Sequence, residues 1–422
     1  MNAKNRLVQS GVIAFMAWTA MVSAWSCQTQ PTAVVHFEPE PRAVLAKSGI
    51  SPSRHAKLGV DQVTSATLYM LAVLGEGEHS RIGLLTSDDG GDTFKPPVFA
   101  SLLGAGVSSH GEDSPGLLVT PSVIYAAWNE DLGICFARSL TWGSNFEPPV
   151  YVSNRHGSSF SGYVSIGMAP NGDIYLLWLD TRDKEEIPDT FSLYMARSTN
   201  KGASFGKNIR VATGVCPCCR PNLAFGRQGE VMVFWRKVYP GNIRDMTVAV
   251  TSDGGDHFTD PLRIAADNWH IEGCPDSGPA TTWSGKRIYV AWLTEASPDR
   301  SGVRLTWSDD SGNTWAPAVM ASQNILDANY PAMSVSNDGH VALVFQGRDP
   351  QKRAGWEKVG VFLVDIGSDG KLSSPQAVPG IASSASRPTV ALGTGGRVYI
   401  AWTGTNEGNP SVLLSRARRE LR

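Results

Sequence analysis

The sequence carries almost no net charge and no long run of one sign. Across 422 residues, 37 basic side chains face 39 acidic ones, for a formal charge of −2, and both signs are scattered. Without a basic stripe there is no electrostatic footprint for nucleic acid, and that class of partner is excluded. Long apolar runs are equally scarce. Past the first 26 residues no stretch is long enough to span a bilayer, so a membrane is expected to be met only through an N-terminal lipid anchor. Cysteine is rare too, at six residues. What the chain has in quantity is glycine (43) and tryptophan (13), within an ordinary 42% hydrophobic content. That mixture predicts many short strands, tight turns and indoles packed between sheets.

The N-terminus predicts export. Lys4 and Arg6 precede an apolar stretch, Gly11 to Val22, so residues 1–26 are expected to be a signal peptide. Two processing outcomes compete. Val22-Ser23-Ala24 offers small residues for ordinary cleavage, while Ala24-Trp25-Ser26-Cys27 resembles a bacterial lipobox with Cys27 as lipid acceptor. Either places the protein in the periplasm or on the outer cell surface. Residues 27–50 then form a tether, and residues 51–422 a single domain.

Self-similarity organises that domain. A strand of the form apolar-Tyr-apolar-apolar-Trp recurs at Ile124–Trp128, Ile174–Trp178, Ile288–Trp292 and Val398–Trp402. Weaker copies lie at Leu68–Ala72, Val231–Trp235 and Val341–Phe345, giving seven units of about 55 residues. That length suits four strands. A second motif falls between the copies. Ser87–Phe94 and Ser308–Trp315 fit S-x-D-x-G-x-T-[WF]; Ser198–Phe205 has Asn200 in place of Asp, Thr251–Phe258 has His257 in place of Thr, and Ser139–Phe146 is degenerate. Its carboxylate can accept backbone N–H groups across a turn, its glycine allows positive φ, and its aromatic wedges between sheets. The fold expected is all-β: a β-propeller of four-stranded antiparallel blades, seven favoured and six the alternative, because the first unit's opening strand is poorly marked. The last unit lacks a fourth strand, which Val34–Phe37 or Ala43–Ala46 is expected to supply, hiding a sheet edge.

The second motif is the Asp box, and the chain resembles the sialidase superfamily over nearly all of residues 51–422. Asp boxes join third to fourth strands, so a site belongs at the opposite end, on the longer loops. The resemblance implies a retaining glycosidase that departs from the usual carboxylate pair: a Tyr nucleophile activated by Glu, an Asp acid, and arginines clasping a substrate carboxylate. By residue type and face, Tyr330 with Glu295 is the nucleophile pair and Asp180 or Asp113 the acid. Arg220, Arg387, Arg236, Arg348 and Arg182 are candidates for holding an acidic sugar. The family's Arg-Ile-Pro tripeptide is absent; Arg220-Pro221 and Arg387-Pro388 echo it in part. The ligand expected is a glycan or other anion, and no cofactor is required.

Four cysteines, Cys216, Cys218, Cys219 and Cys274, fall in two consecutive loops of that same face. Disulfides are the first expectation in an exported protein, with Cys274 tied to one of the other three. A Cu or Zn site is the second, with His110, His156 or His270 contributing, and a redox pair the third. Cys135, between Ile134 and Phe136, reads as core. Three functions therefore stand: a glycoside hydrolase, a non-catalytic glycan- or protein-binding propeller, and a metal or thiol protein.

Overall fold

The computed structural model describes residues 34–44, 53–61, 67–108, 110–154, 159–187, 191–351, 358–367, 369–381, 384–406 and 408–420. The expected signal peptide, Cys27, and the Arg155-His156 pair lie outside them. Among these residues, strands gather into antiparallel four-stranded groups in chain order. The first runs Ser53–Val60, Leu68–Leu74, Arg81–Ser87 and Val98–Phe99, so the poorly marked opening strand is present at Ser53–Val60. The third and fourth groups join through one pair, Val215 with Lys237.

The strands that open the successive groups are Ser53–Val60, Gly116–Val119, Ser161–Met168, Asn222–Phe225, Ala280–Ser284, Leu326–Val335 and Ser386–Leu392. Each packs on the next, and the last returns to the first, so these seven inner strands form a closed ring. The final group takes its fourth strand from the N-terminal side. Val34–Phe37 pairs with Ala417–Glu420, and Arg42–Ala43 adds a short pairing with Leu413 and Leu414. Both ends of the described chain thus share one sheet, and the N-terminal strand covers the edge of the last C-terminal strand.

The recurring tryptophans explain why these units associate. Trp128, Trp178, Trp235, Trp292 and Trp402 are all essentially inaccessible to solvent. Each lies between its own sheet and a neighbour, for example Trp292 among Phe234, Met232 and Ile288. Burial of such a side chain contributes about 2–3 kcal/mol, so the inter-sheet seams dominate stability. The Asp-box aromatics extend them: Trp315 meets Phe234 edge-on at 5.9 Å, and Phe205 meets Phe136 at 4.9 Å.

The box at Ser308–Trp315 shows why the motif needs its residues. Asp310 accepts the Thr314 N–H at 2.9 Å, the Thr314 hydroxyl at 2.6 Å and the Ser308 hydroxyl at 2.8 Å. Gly312 turns at φ +87° and donates its N–H to Ser308 Oγ at 2.9 Å. Substituted boxes keep the geometry by other means. His257 Nδ1 lies 2.7 Å from Asp253 where Thr would bond, and Asn200 Oδ1 accepts the Ser204 N–H at 3.0 Å.

Candidate functional site

At the other end of the ring, the inner strands do not begin smoothly. His55, Tyr163, Asp276, Tyr330 and Arg387, one at each of five strand entrances, have φ between +48° and +57°. Ladder register slips at four of these places, between Arg54 and Lys57, Gly162 and Ser165, Asn329 and Ala332, and Ser386 and Thr389. These are β-bulges, which re-aim a side chain. A non-glycine residue in this region costs about 1 kcal/mol, roughly 5 in all. That is a large share of a net stability of about 5–15 kcal/mol, and such strain concentrates at functional sites.

The bulges aim their side chains at the ring axis. Tyr330 donates its hydroxyl to Asp276 Oδ2 at 3.0 Å, and Arg387 Nη2 donates to the same oxygen at 3.3 Å. The Arg387 guanidinium also lies 4.9 Å from the Tyr330 ring centre. Asp276 Oδ1 accepts the backbone N–H of Glu112 at 3.2 Å. Glu112 Oε2 in turn accepts N–H groups from Arg220 at 3.0 Å and Gly278 at 2.6 Å. Residues from the second, fourth, fifth, sixth and seventh groups are thus wired into one network. His55 and Lys57 of the first complete the wall.

Two cavities adjoin this network. One, of about 250 Å³, is lined by Lys57, Glu112, Ser165, Arg220, Asn222 and Thr389 among others. The other, of about 40 Å³, lies beside His55, Tyr330 and Arg387 and shares Lys57, Glu112 and Arg220 with the first. Protein packed around the ionisable side chains of these walls shifts them. Burial pushes the Glu112 carboxyl up to about 7, and the nearby Asp276 charge adds to it against the two N–H bonds that oppose it. Burial likewise pulls Lys57 down to about 7, helped by Arg220. His55, buried and facing Arg387, is lowered to about 3 and stays neutral. The Tyr330 phenol is raised by burial, with Arg387 pulling the other way. Near neutral pH the cavity therefore holds a carboxyl and an amine both poised to exchange protons, beside a protonated phenol.

The sequence candidates divide sharply. Arg220, Arg387 and Tyr330 meet at the axis. Tyr330, however, bonds Asp276, whereas Glu295 is an exposed end of its strand and feels Asp327 and Arg236. Asp180 is fully buried and accepts the Trp178 indole at 2.9 Å, the Ser161 hydroxyl at 2.9 Å and Arg182 Nη2 at 2.6 Å. It caps a tryptophan and anchors Arg182, which stacks on Tyr194 at 4.2 Å. Asp113 is also buried, held by the Tyr163 N–H and Asn129 Nδ2, both at 2.8 Å. The neighbouring Glu112 takes the axial place. Arg236 gives its guanidinium to the carbonyls of Arg244, Ser277 and Leu293, and Arg348 pairs with Asp327. Neither Arg236 nor Arg348 lines the axial cavities.

Arg220 itself is tightly braced. Nε donates to Ser165 Oγ at 3.1 Å, Nη1 to the Ser114 carbonyl at 2.9 Å, and Nη2 to the Val164 carbonyl. It contributes positive charge to the wall, while Arg387, bonded to Asp276 on one side only, is the better placed to clasp a ligand. Sequence reasoning missed Glu112, Asp276, Lys57, His55 and Tyr163 as site residues. Each stands at or beside an inner-strand entrance, in phase with Arg220, Tyr330 and Arg387, and that phase was the available signal.

The cysteine expectation is corrected in one respect. The five described cysteines are free thiols, and Cys274 is exposed and outside the cluster, so no bond ties it to the other three. Cys216, Cys218 and Cys219 do converge, buried, directly before Arg220. His110 and His270 are exposed and do not join them. Cys135 is core as expected, with its thiol on Glu130, which also accepts the Trp128 indole and the Tyr151 hydroxyl.

No family model matches the sequence, and no curated protein does. Solved structures do resemble it. A protein of unknown function from Dyadobacter fermentans superposes with a TM-score of 0.54 at 11% identity, over 92% of this chain and 100% of that one. A Hadza microbial sialidase gives 0.50 at 15% identity, over 73% of this chain and 66% of its own length. An α-L-arabinanase from Penicillium chrysogenum gives 0.47 at 12% identity, over 91% of this chain and 98% of that one. The fold is that of the sialidase-like propellers. At such identities the likeness is one of architecture, so function rests on the axial site.

Proposed function

We propose that this protein is a glycan-active propeller that hydrolyses a glycoside bearing a carboxylate. The observation that carries the reading is the Tyr330 hydroxyl bonded to Asp276 under the Arg387 guanidinium, at the centre of a strained ring of strand entrances. In this reading Arg387 pairs with the substrate carboxylate, with Lys57 and Arg220 adding positive charge. Asp276 takes the phenolic proton as Tyr330 Oη attacks the anomeric carbon. A neutral phenol suits such a substrate, because an anionic nucleophile would be repelled by its charge. Glu112, poised near 7, protonates the departing oxygen and later draws a proton from water.

A binding propeller without turnover is the second reading, favoured by the bracing of Arg220, whose donors are already engaged by protein groups. One experiment separates the two. A panel of fluorogenic sialosides, uronides and arabinofuranosides is incubated with the wild type, with Tyr330→Phe and with Asp276→Asn. Release from an acidic glycoside, lost in both variants, supports hydrolysis. Failure across the panel, with glycan binding retained in Tyr330→Phe, supports the second reading and overturns the first.

A further inference from the structure

The cysteine cluster is not used by the axial chemistry, yet its geometry is specific. Cys216 Sγ lies 3.4 Å from Cys219 Sγ and 3.9 Å from Cys218 Sγ, and all three sulfurs fall within 4.8 Å of one another. Three sulfurs around an ion at a bond length of about 2.3 Å stand roughly 3.8–4.0 Å apart, so this spacing is close to that of a metal-bound set. The sulfurs are buried, with only Val238 packed beside them as a partly buried apolar neighbour. Among the described residues no His, Asp or Glu joins the group.

We propose that Cys216, Cys218 and Cys219 form a three-sulfur site for a soft monovalent ion, Cu(I). The donor set decides the ion. Thiolate ligation suits soft ions, and Cu(I) is satisfied by three sulfurs, whereas a structural Zn(II) site closes with four protein ligands and finds three among the described residues. Charge agrees with this choice. Three thiolates around one Cu(I) leave an excess of negative charge, and the Arg244 guanidinium stands 3.3 Å from Cys216 Sγ to offset it. Arg236 acts in the same sense on Cys216 and Cys219. Cu(I) binds cysteine as the thiolate. Binding therefore displaces thiol protons to solvent, and affinity falls as pH falls.

The site also has a structural consequence. Cys219 directly precedes Arg220, whose N–H bonds Glu112 and whose guanidinium braces the second and third inner strands. An ion at the cluster would fix this loop against the axial wall. The proposal does not depend on the glycan reading.

The test uses the full exported chain, reduced and kept anaerobic, and titrated with Cu(I) against bathocuproine disulfonate. The expected result is one equivalent of Cu(I) per chain withdrawn from the chelator, with a thiolate-to-copper absorption band. Cys219→Ser and Cys218→Ser should each weaken retention by at least about 100-fold, and Cys274→Ser should not. Thermal unfolding of the apo variants shows that the propeller is intact. Retention of all the copper by the chelator in the wild type overturns the proposal. So does a four-coordinate Zn(II) complex that copper fails to displace, or recovery of the exported protein with Cys216 and Cys219 in a disulfide.

Discussion

The two ends of this propeller handle carboxylates in opposite ways. At the Asp-box end, Asp89 and Asp310 sit near solvent and each accepts several hydrogen bonds from its own turn, which hold Asp89 well below the usual carboxylate range and lower Asp310 in the same sense. Glycine takes a positive-φ position in each of these turns, although Trp142, Lys201 and Ser311 hold a neighbouring one in three boxes, on exposed turns rather than around a cavity. At the axial end, Glu112 is enclosed and pushed up to about 7, Lys57 is pulled down to about 7, and five non-glycine residues occupy glycine-like conformations. One end is built to be stable. The other is held in place by the ring of sheets despite its own preferences, as expected where pre-organised chemistry resides.

The largest expected effect that would break this contrast is on activity. Tyr330→Phe should lower hydrolysis of the acidic glycoside by about 10³-fold or more while leaving thermal stability within a few degrees. Glu112→Gln should cost about 10²–10⁴-fold in rate. It should also remove the alkaline limb of the pH profile, which falls as pH rises through about 7 because the acid must carry its proton.

Stability gives the next effect, with signs that differ between the ends. Lys57 is lowered from 10.5 to about 7, so its contribution is present above 10.5 and lost as pH falls through 7. Lys57→Met should therefore raise Tm at pH 6, with the gain shrinking toward pH 10.5, while impairing ligand binding. Glu112 is raised, so its contribution is present below 4.5 and lost as pH rises through 7. Unfolding scans across pH check both. The smallest effect is at the other end. Asp310→Ala should lower Tm by a few degrees at neutral pH and leave activity unchanged, with the difference vanishing as pH falls below 3.8. A loss of activity in Asp310→Ala that matched Tyr330→Phe would abolish the distinction.

The same contrast explains what could be read from the sequence. Asp boxes and tryptophan strands are local patterns whose residues interact with their own turn or the adjoining sheet, so period and phase exposed them. Arg220 and Arg387 were visible because a proline follows each at a strand entrance, and Tyr330 by its residue type and its place on the loop face. Glu112 was not, because Asp113 beside it offers the same chemistry, and only the turn that follows His110 decides which one faces the axis. Asp276 lies a whole unit away from the Tyr330 it bonds. Glu295 was the nearer carboxylate in loop order, but its strand ends facing solvent. Asp180 and Arg236 show the opposite error: charged residues after a buried tryptophan look reactive, and here they cap indoles and carbonyls.

The most direct test of the axial site is release of the acidic sugar by the wild type, Tyr330→Phe and Asp310→Ala, assayed side by side at pH 6 and pH 8. The expected result is turnover by the wild type and Asp310→Ala, stronger at pH 6, and none above background in Tyr330→Phe. Equal turnover by the wild type and Tyr330→Phe would rule out the phenol as nucleophile.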